Sequence, residues 1–219
     1  MRRYVIFALV LSAFVGVRAS AQDKSSYVQV PNWGNTQWGV MTDVGINAKG
    51  NIYTFQREKP NSQIMVYDAQ GKLLKTWAKD MFKGAHGLRV APDGNIYISV
   101  MSGNKVARFD VKSQTFREWD MPSGHRPHGL LVDKQGMVWT TGNGNGSIGK
   151  LDPATGKIEE FKTPSGKDGR GGPHTLVITD DQSTIWFTMQ SGDKVASLDT
   201  RTGAIKEYPT SGGPYGLSI

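Results

Sequence analysis

One phrase recurs along this chain and limits what it can fold into. HGLRVAPDGNIYISV runs from His86, HGLLVDKQGMVWTTG from His128 and HTLVITDDQSTIWFTM from His174. A short copy, YGLSI, begins at Tyr215, and an eroded one, TDVGINAKGNIYTFQ, at Thr42. Successive starts lie 44, 42, 46 and 41 residues apart. A repeat near that length suits one propeller blade, in which each unit cannot cover its own apolar face and must stack on its neighbours.

Every repeat has the same grammar. A Gly turn (Gly50, Gly94, Gly136) leads into an apolar and aromatic run: Ile52-Tyr53, Ile96-Tyr97, Val138-Trp139, Ile185-Trp186-Phe187. A polar turn follows, and a third run ends in Asp at Asp68, Asp110, Asp152 and Asp199. A second Gly turn (Gly71, Gly156, Gly203) opens a fourth run such as Ile158–Phe161 or Ile205–Tyr208. β-Branched and aromatic runs punctuated by turn residues read as short strands. No stretch after residue 21 holds a helical apolar period over three turns, so the expectation is an all-β β-propeller of four-stranded blades. About four blades are present. Six or seven blades are usual for such rings, so the chain reads as a C-terminally truncated part of one; the alternative is a four-bladed ring closed by Tyr215–Ile219.

Residues 1–21 read as a signal peptide, leaving residues 22–219 as the propeller domain. Arg2 and Arg3 precede an apolar run from Tyr4 to Val17, and Ala19-Ser20-Ala21 offers a cleavage site. The expected location is periplasmic or secreted, with no membrane attachment after cleavage. The chain has no cysteine, which excludes disulfides and a lipid-anchored Cys. Beyond residue 21 it carries 23 basic and 19 acidic residues, scattered through the turns, which argues against nucleic acid as a partner. There is no Gly-x-Ser-x-Gly elbow or His-Glu-x-x-His pair, and Gly142–Gly146 reads as a hairpin turn and not a phosphate cradle. Lys167–Gly172 lengthens the third repeat and reads as a mobile loop open to a ligand.

In a propeller the first strand of each blade lines the central channel, so repeat-equivalent residues converge near the axis. His86, His128 and His174 share that position, with Thr42 and Tyr215 as the other members. They read either as acid–base groups or metal ligands at a channel that takes a small-molecule or peptide-like ligand, or as packing devices between blades. His125 lies outside the pattern, in the loop before His128. Trp139 and Trp186 read as inter-blade core.

PHGL, the aromatic pair after the Gly turn, GNKV and LDPATGKIEEF together resemble the streptogramin lyase (virginiamycin B lyase-like) family across most of residues 86–219. The resemblance implies opening of a cyclic peptide ester by elimination, a carbon–oxygen lyase reaction. His128 and His174 would be catalytic, with a divalent metal, Mg²⁺, polarising the carbonyl. The family's WFTE carboxylate has no counterpart here: Val100, Gly142 and Met189 stand in its place. Residues 52–88 resemble instead the NHL-repeat blades of peptidyl-hydroxyglycine amidating lyase. That resemblance implies His86, His128 and His174 as Zn²⁺ ligands and Arg57 beside the substrate. Tyr215, the repeat-equivalent of those histidines, is a further candidate substrate contact. A non-enzymatic periplasmic propeller that binds a peptide, glycan or protein is the remaining alternative.

Overall fold

The computed structural model describes residues 30–34, 39–57, 62–82, 84–168 and 171–219. The expected signal peptide lies outside the described residues. Among the described residues, sixteen strands form four antiparallel sheets, each a simple meander. Blade 1 holds β1 (Met41–Ile46), β2 (Ile52–Gln56), β3 (Gln63–Tyr67) and β4 (Leu73–Trp77). Blade 2 holds β5 (Ala85–Val90), β6 (Ile96–Val100), β7 (Lys105–Asp110) and β8 (Thr115–Asp120). Blade 3 holds β9 (Pro127–Val132), β10 (Val138–Gly142), β11 (Ser147–Leu151) and β12 (Ile158–Lys162). Blade 4 holds β13 (Pro173–Ile178), β14 (Thr184–Met189), β15 (Lys194–Asp199) and β16 (Ile205–Pro209). The chain is an all-β propeller, as the repeat requires. Among the described residues, Tyr215–Ile219 form no strand and none is added to the sheet of blade 1. Part of the expected mobile loop is instead ordered as a 3-10 turn, Pro164–Asp168, while residues 169–170 lie outside the described residues.

The repeated Asp explains itself in the turns. Asp68, Asp110, Asp152 and Asp199 each close the β3–β4 type hairpin by accepting backbone N–H groups two to four residues on, such as Lys72 to Asp68 at 2.9 Å and Thr202 to Asp199 at 2.7 Å. An Asp side chain there mimics a turn of backbone, and Gly71, Gly156 and Gly203 follow with positive φ.

Blades pack face to face through apolar layers. Tyr53, Phe55, Leu88, Ile98 and Phe109 fill the seam between blades 1 and 2. Tyr97, Val106, Trp119, Leu130 and Val138 fill the next, and Trp139, Ile148, Leu176, Phe187 and Leu198 the third. Trp139 is buried as expected, its indole N–H donating to Asp133 at 2.8 Å, whereas Trp186 is only half-buried against Tyr208. Leu88, Leu130 and Leu176 are at most 2% exposed under the preceding blade, while their counterpart Val44 is 41% exposed on the far side of blade 1. The difference is one of position, not sequence: all four are apolar.

Each first strand carries the same irregularity near its start. Pairing skips from Ala85–Val100 to Leu88–Ile98, so His86 and Gly87 together face Ser99. His128 and Gly129 likewise face Thr141, and His174 and Thr175 face Thr188. In blade 1, Thr42 and Asp43 face Phe55. Two residues against one is a β-bulge, which bends the strand and re-aims the side chains at that point. The glycine after the histidine is required by crowding. A Cβ on Gly129 would strike the His174 carbonyl and come within 2.9 Å of Leu176, and one on Gly87 would sit 2.9 Å from the His128 carbonyl. Gly129→Ala is therefore expected to lower the unfolding free energy by about 1–3 kcal/mol through overpacking, read from urea denaturation. An unchanged midpoint would show that the blades are not this close.

Candidate active site on the propeller axis

The bulge aims successive imidazoles at one another. His86 and His128 stack with ring centroids 3.6 Å apart, His128 and His174 3.9 Å apart, and His174 and Tyr215 4.0 Å apart. The four repeat-equivalent rings form one column, so the structure brings together His86, His128, His174 and Tyr215. His128 and His174 are buried, His86 is half-buried and Tyr215 is exposed. Arg57 follows β2 at the same end and is exposed. Its backbone N–H donates to Val40 at 3.0 Å, and its charge bears on both His86 and His128.

A set of hydroxyls that the sequence reading passed over fixes the column from behind. Ser99 Oγ accepts the Gly87 N–H at 2.6 Å and donates to the His128 carbonyl at 2.6 Å. Thr141 Oγ1 accepts from Gly129 at 2.7 Å and donates to the His174 carbonyl at 2.8 Å. Thr188 Oγ1 accepts from Thr175 and donates to the Tyr215 carbonyl, both at 3.1 Å. Each fully buried hydroxyl thus satisfies the amide freed by its own bulge and the axial carbonyl of the next repeat. The signal was present in the sequence, since a Ser or Thr stands next to last in each of these second strands. Blade 1 has Phe55 there, and Asp43 takes over by accepting from Leu88 N–H at 2.9 Å and Arg89 Nη1 at 2.5 Å.

His125, outside the repeat pattern, is completely buried. Its Nδ1 lies 3.0 Å from Glu160 Oε1 and 3.1 Å from Ser147 Oγ, and its Nε2 lies 2.8 Å from Thr140 Oγ1. The equivalent sites explain it. Glu118 pairs with Lys105 at 2.9 Å and Glu207 with Lys194 at 2.7 Å, but in blade 3 the lysine is replaced by Ser147 and an imidazole fills the space. Burial works against the Glu160 carboxylate, yet hydrogen bonds from Asn145, Ser147 and His125 outweigh it and hold its pKa at about 2. Burial lowers His125, with Glu160 opposing. The loop that delivers Pro127 and His128 to the axis is anchored on both ring nitrogens.

The column is electrically neutral. Burial, then Arg57 and His174, lowers His86 to about 4; burial, then His86 and His174, lowers His128 to about 3. Burial also lowers His174. Neutral imidazoles can accept a proton or a hydrogen bond. Three of them could also hold a metal ion, but only with nitrogen lone pairs converging at about 2.0–2.1 Å. Rings stacked on their faces, tilted by 38° and 41°, do not converge in that way. Among the described residues no group of three or more His, Asp or Glu side chains is placed to hold an ion. Mg²⁺ asks for oxygen ligands, and Val100, Gly142 and Met189 supply none at the ends of the second strands. The described residues therefore fit neither a three-imidazole Zn²⁺ site nor a Mg²⁺ site.

The lowered histidine values set a pH dependence. Between pH 6.5 and about 4 for His86, or about 3 for His128, the unfolded chain binds protons that the folded chain refuses. Stability then rises with pH across that window and is lost as pH falls through it. Urea midpoints should drop steadily from pH 7 to pH 4, and His86→Phe should flatten part of the slope. A midpoint that is level over this range would contradict the neutral column.

The comparisons with known proteins agree with this architecture. The sequence pattern of the virginiamycin B lyase family matches residues 78–219. Virginiamycin B lyase from Staphylococcus aureus is similar in structure, with TM-score 0.71 and 22% identity over 84% of this chain and 61% of that one. A catalytically inactive histidine-to-alanine variant of that enzyme with quinupristin matches at TM-score 0.70 and 23% identity, covering 85% of this chain and 61% of that one. An auxiliary nutrient binding protein from Bacteroides ovatus shares the fold at TM-score 0.62 and 18% identity, covering 79% of this chain and 48% of that one. None of the curated proteins matches the chain by sequence. The chain spans about 60% of the length of the lyase structures that it resembles. With the repeat phrase, the four meander blades and the matched residues in agreement, the chain belongs to the virginiamycin B lyase family.

Proposed function

We propose that the chain is a lyase-type propeller that opens a cyclic peptide ester by elimination at the axial channel, with His128 and His174 as the candidate bases. The observation that carries this reading is the pair of neutral imidazoles at the repeat-equivalent Pro127-His128 and Pro173-His174 positions, inside the family-matched residues. In the reaction a base removes the proton α to a carbonyl. The electron pair left behind forms a carbon–carbon double bond, the β-carbon–oxygen bond breaks, and the ester oxygen leaves as a carboxylate. An unprotonated imidazole is the form this step needs at neutral pH. That a histidine variant of the Staphylococcus aureus enzyme is inactive is in keeping with the assignment. Arg57, exposed beside the column, is the candidate partner for ligand oxygen, and the exposed ring of Tyr215 a candidate stacking surface. The signal-like residues 1–21 favour a periplasmic or secreted setting.

A specific observation favours a second reading, a binding propeller without catalysis. A base held at about 3, as His128 is, is weak, and efficiency falls as the pKa drops below the working pH. The second strands also lack the family's carboxylate. On this reading the column and Arg57 bind a peptide or glycan at the channel mouth.

Incubation with a cyclic depsipeptide of the quinupristin type separates the two. Elimination yields a linear product of unchanged mass with a new double-bond absorbance, whereas hydrolysis adds a water. Activity is expected to fall about 10²-fold or more in His128→Ala or His174→Ala. Turnover unchanged in both variants would remove the assigned roles. Binding without turnover would favour the second reading.

A further inference from the structure

Each axial ring is reached through the same turn. The residue two places before the ring has positive φ in four repeats: Gly84 at 67°, Arg126 at 51°, Gly172 at 48° and Gly213 at 57°. Three of the four are glycine, which takes this left-handed backbone freely, whereas a Cβ makes it costly. Pro127 follows Arg126 and narrows its choices further. The arginine is nevertheless held there from several sides. Its N–H donates to Asn104 Oδ1 at 2.7 Å, and Asn104 Nδ2 donates to the Met121 and Pro122 carbonyls at 2.8 and 3.1 Å. The Gly144 N–H donates to the His125 carbonyl at 3.1 Å.

The neighbouring turn has changed to suit the arginine. The second residue after the second strand is Ser102 in blade 2 and Ser191 in blade 4, but Gly144 in blade 3. A Cβ on Gly84 would strike Ser102 Oγ, and one on Gly172 would lie 3.0 Å from Ser191 Oγ, so glycine and serine fit each other there. In blade 3 the pair is reversed. The arginine stem occupies the space, and a Cβ on Gly144 would lie 2.8 Å from Arg126 Cδ and 3.0 Å from its Cγ. Arg126 is exposed, and among the described residues its side chain forms no ion pair and no hydrogen bond, only its backbone being engaged. A strained residue that its surroundings hold in place, with its functional group left free, is a feature of ligand sites.

We propose that Arg126 is a ligand-binding residue at the channel mouth and takes a carboxylate of a peptide-like ligand. It stands two residues before His128, at the start of β9, and Arg57 is exposed at the same end of the propeller. A guanidinium presents parallel N–H donors in the geometry that a carboxylate accepts. The choice of carboxylate rests on the proposed function: elimination releases one from the ester, and a bound linear peptide ends in one.

The test compares the parent chain with Arg126→Gly and Arg126→Gln, using two probes. One is the linear acid obtained by opening a quinupristin-type depsipeptide, and the other is the carboxamide of that acid. By isothermal titration calorimetry the parent should bind the acid about 10–100-fold more tightly than the amide, and both variants should lose that preference. Arg126→Gly should at the same time raise Tm by about 2–4 °C, because it relieves the left-handed arginine, whereas Arg126→Gln keeps the strain and leaves Tm level. A residue that only held the loop would do the opposite: its loss would lower Tm and leave the acid bound as before. Acid and amide bound alike by the parent, neither probe bound, or a preference that survives in both variants would overturn the proposal. Depsipeptide turnover alongside such a result would leave the proposed function standing without Arg126. Selective binding of the acid without turnover would keep the Arg126 site and remove the lyase reading.

Discussion

The hydroxyl that closes each bulge is the interaction on which the rest of this molecule depends. A propeller has no strand pairing between blades, so apolar seams alone must set their spacing and tilt. Apolar contact is not directional. Ser99, Thr141 and Thr188 add direction near the axis, each joining an amide of its own repeat to a carbonyl of the next. The short reach of a hydroxyl then forces the first strands together. That closeness is why glycine follows His86 and His128, and why the rings in front of those carbonyls fall into stacking contact.

The chemistry of the axis follows from that packing. Imidazoles stacked on one another and buried by their blades cannot share the column as cations, so burial and mutual proximity favour their neutral form. The same crowding turns their lone pairs away from a common centre. Neutral imidazoles are what this arrangement offers a ligand. The outer strands settle their charge separately, by a glutamate clamped to Lys105 or Lys194, or in blade 3 to His125.

The fold was legible because each blade repeats its own punctuation: the Asp that closes a hairpin, the Gly with positive φ and the aromatic second strand all recur at fixed offsets. The shared position of His86, His128, His174 and Tyr215 was legible for the same reason. Their stacking was not, because it arises from a bulge, and a bulge is a matter of pairing register that one strand's sequence does not display. Residue type at these positions suits a metal, but ring orientation, which decides where the lone pairs point, is likewise set by the bulge and is not written in the sequence. His125 was missed because its role depends on a lysine lost at Ser147, on a strand 22 residues away. The hydroxyls could have been found, since Ser99, Thr141 and Thr188 repeat as faithfully as the histidines.

The most direct test is to compare Thr141→Val with Thr141→Ser by urea denaturation. Valine keeps the shape and strands the Gly129 N–H and the His174 carbonyl, whereas serine keeps the hydroxyl, as Ser99 does in blade 2. The account predicts a loss of about 2–4 kcal/mol for valine and under about 1 kcal/mol for serine. Valine as stable as threonine would mean that the blades are held by their apolar seams alone.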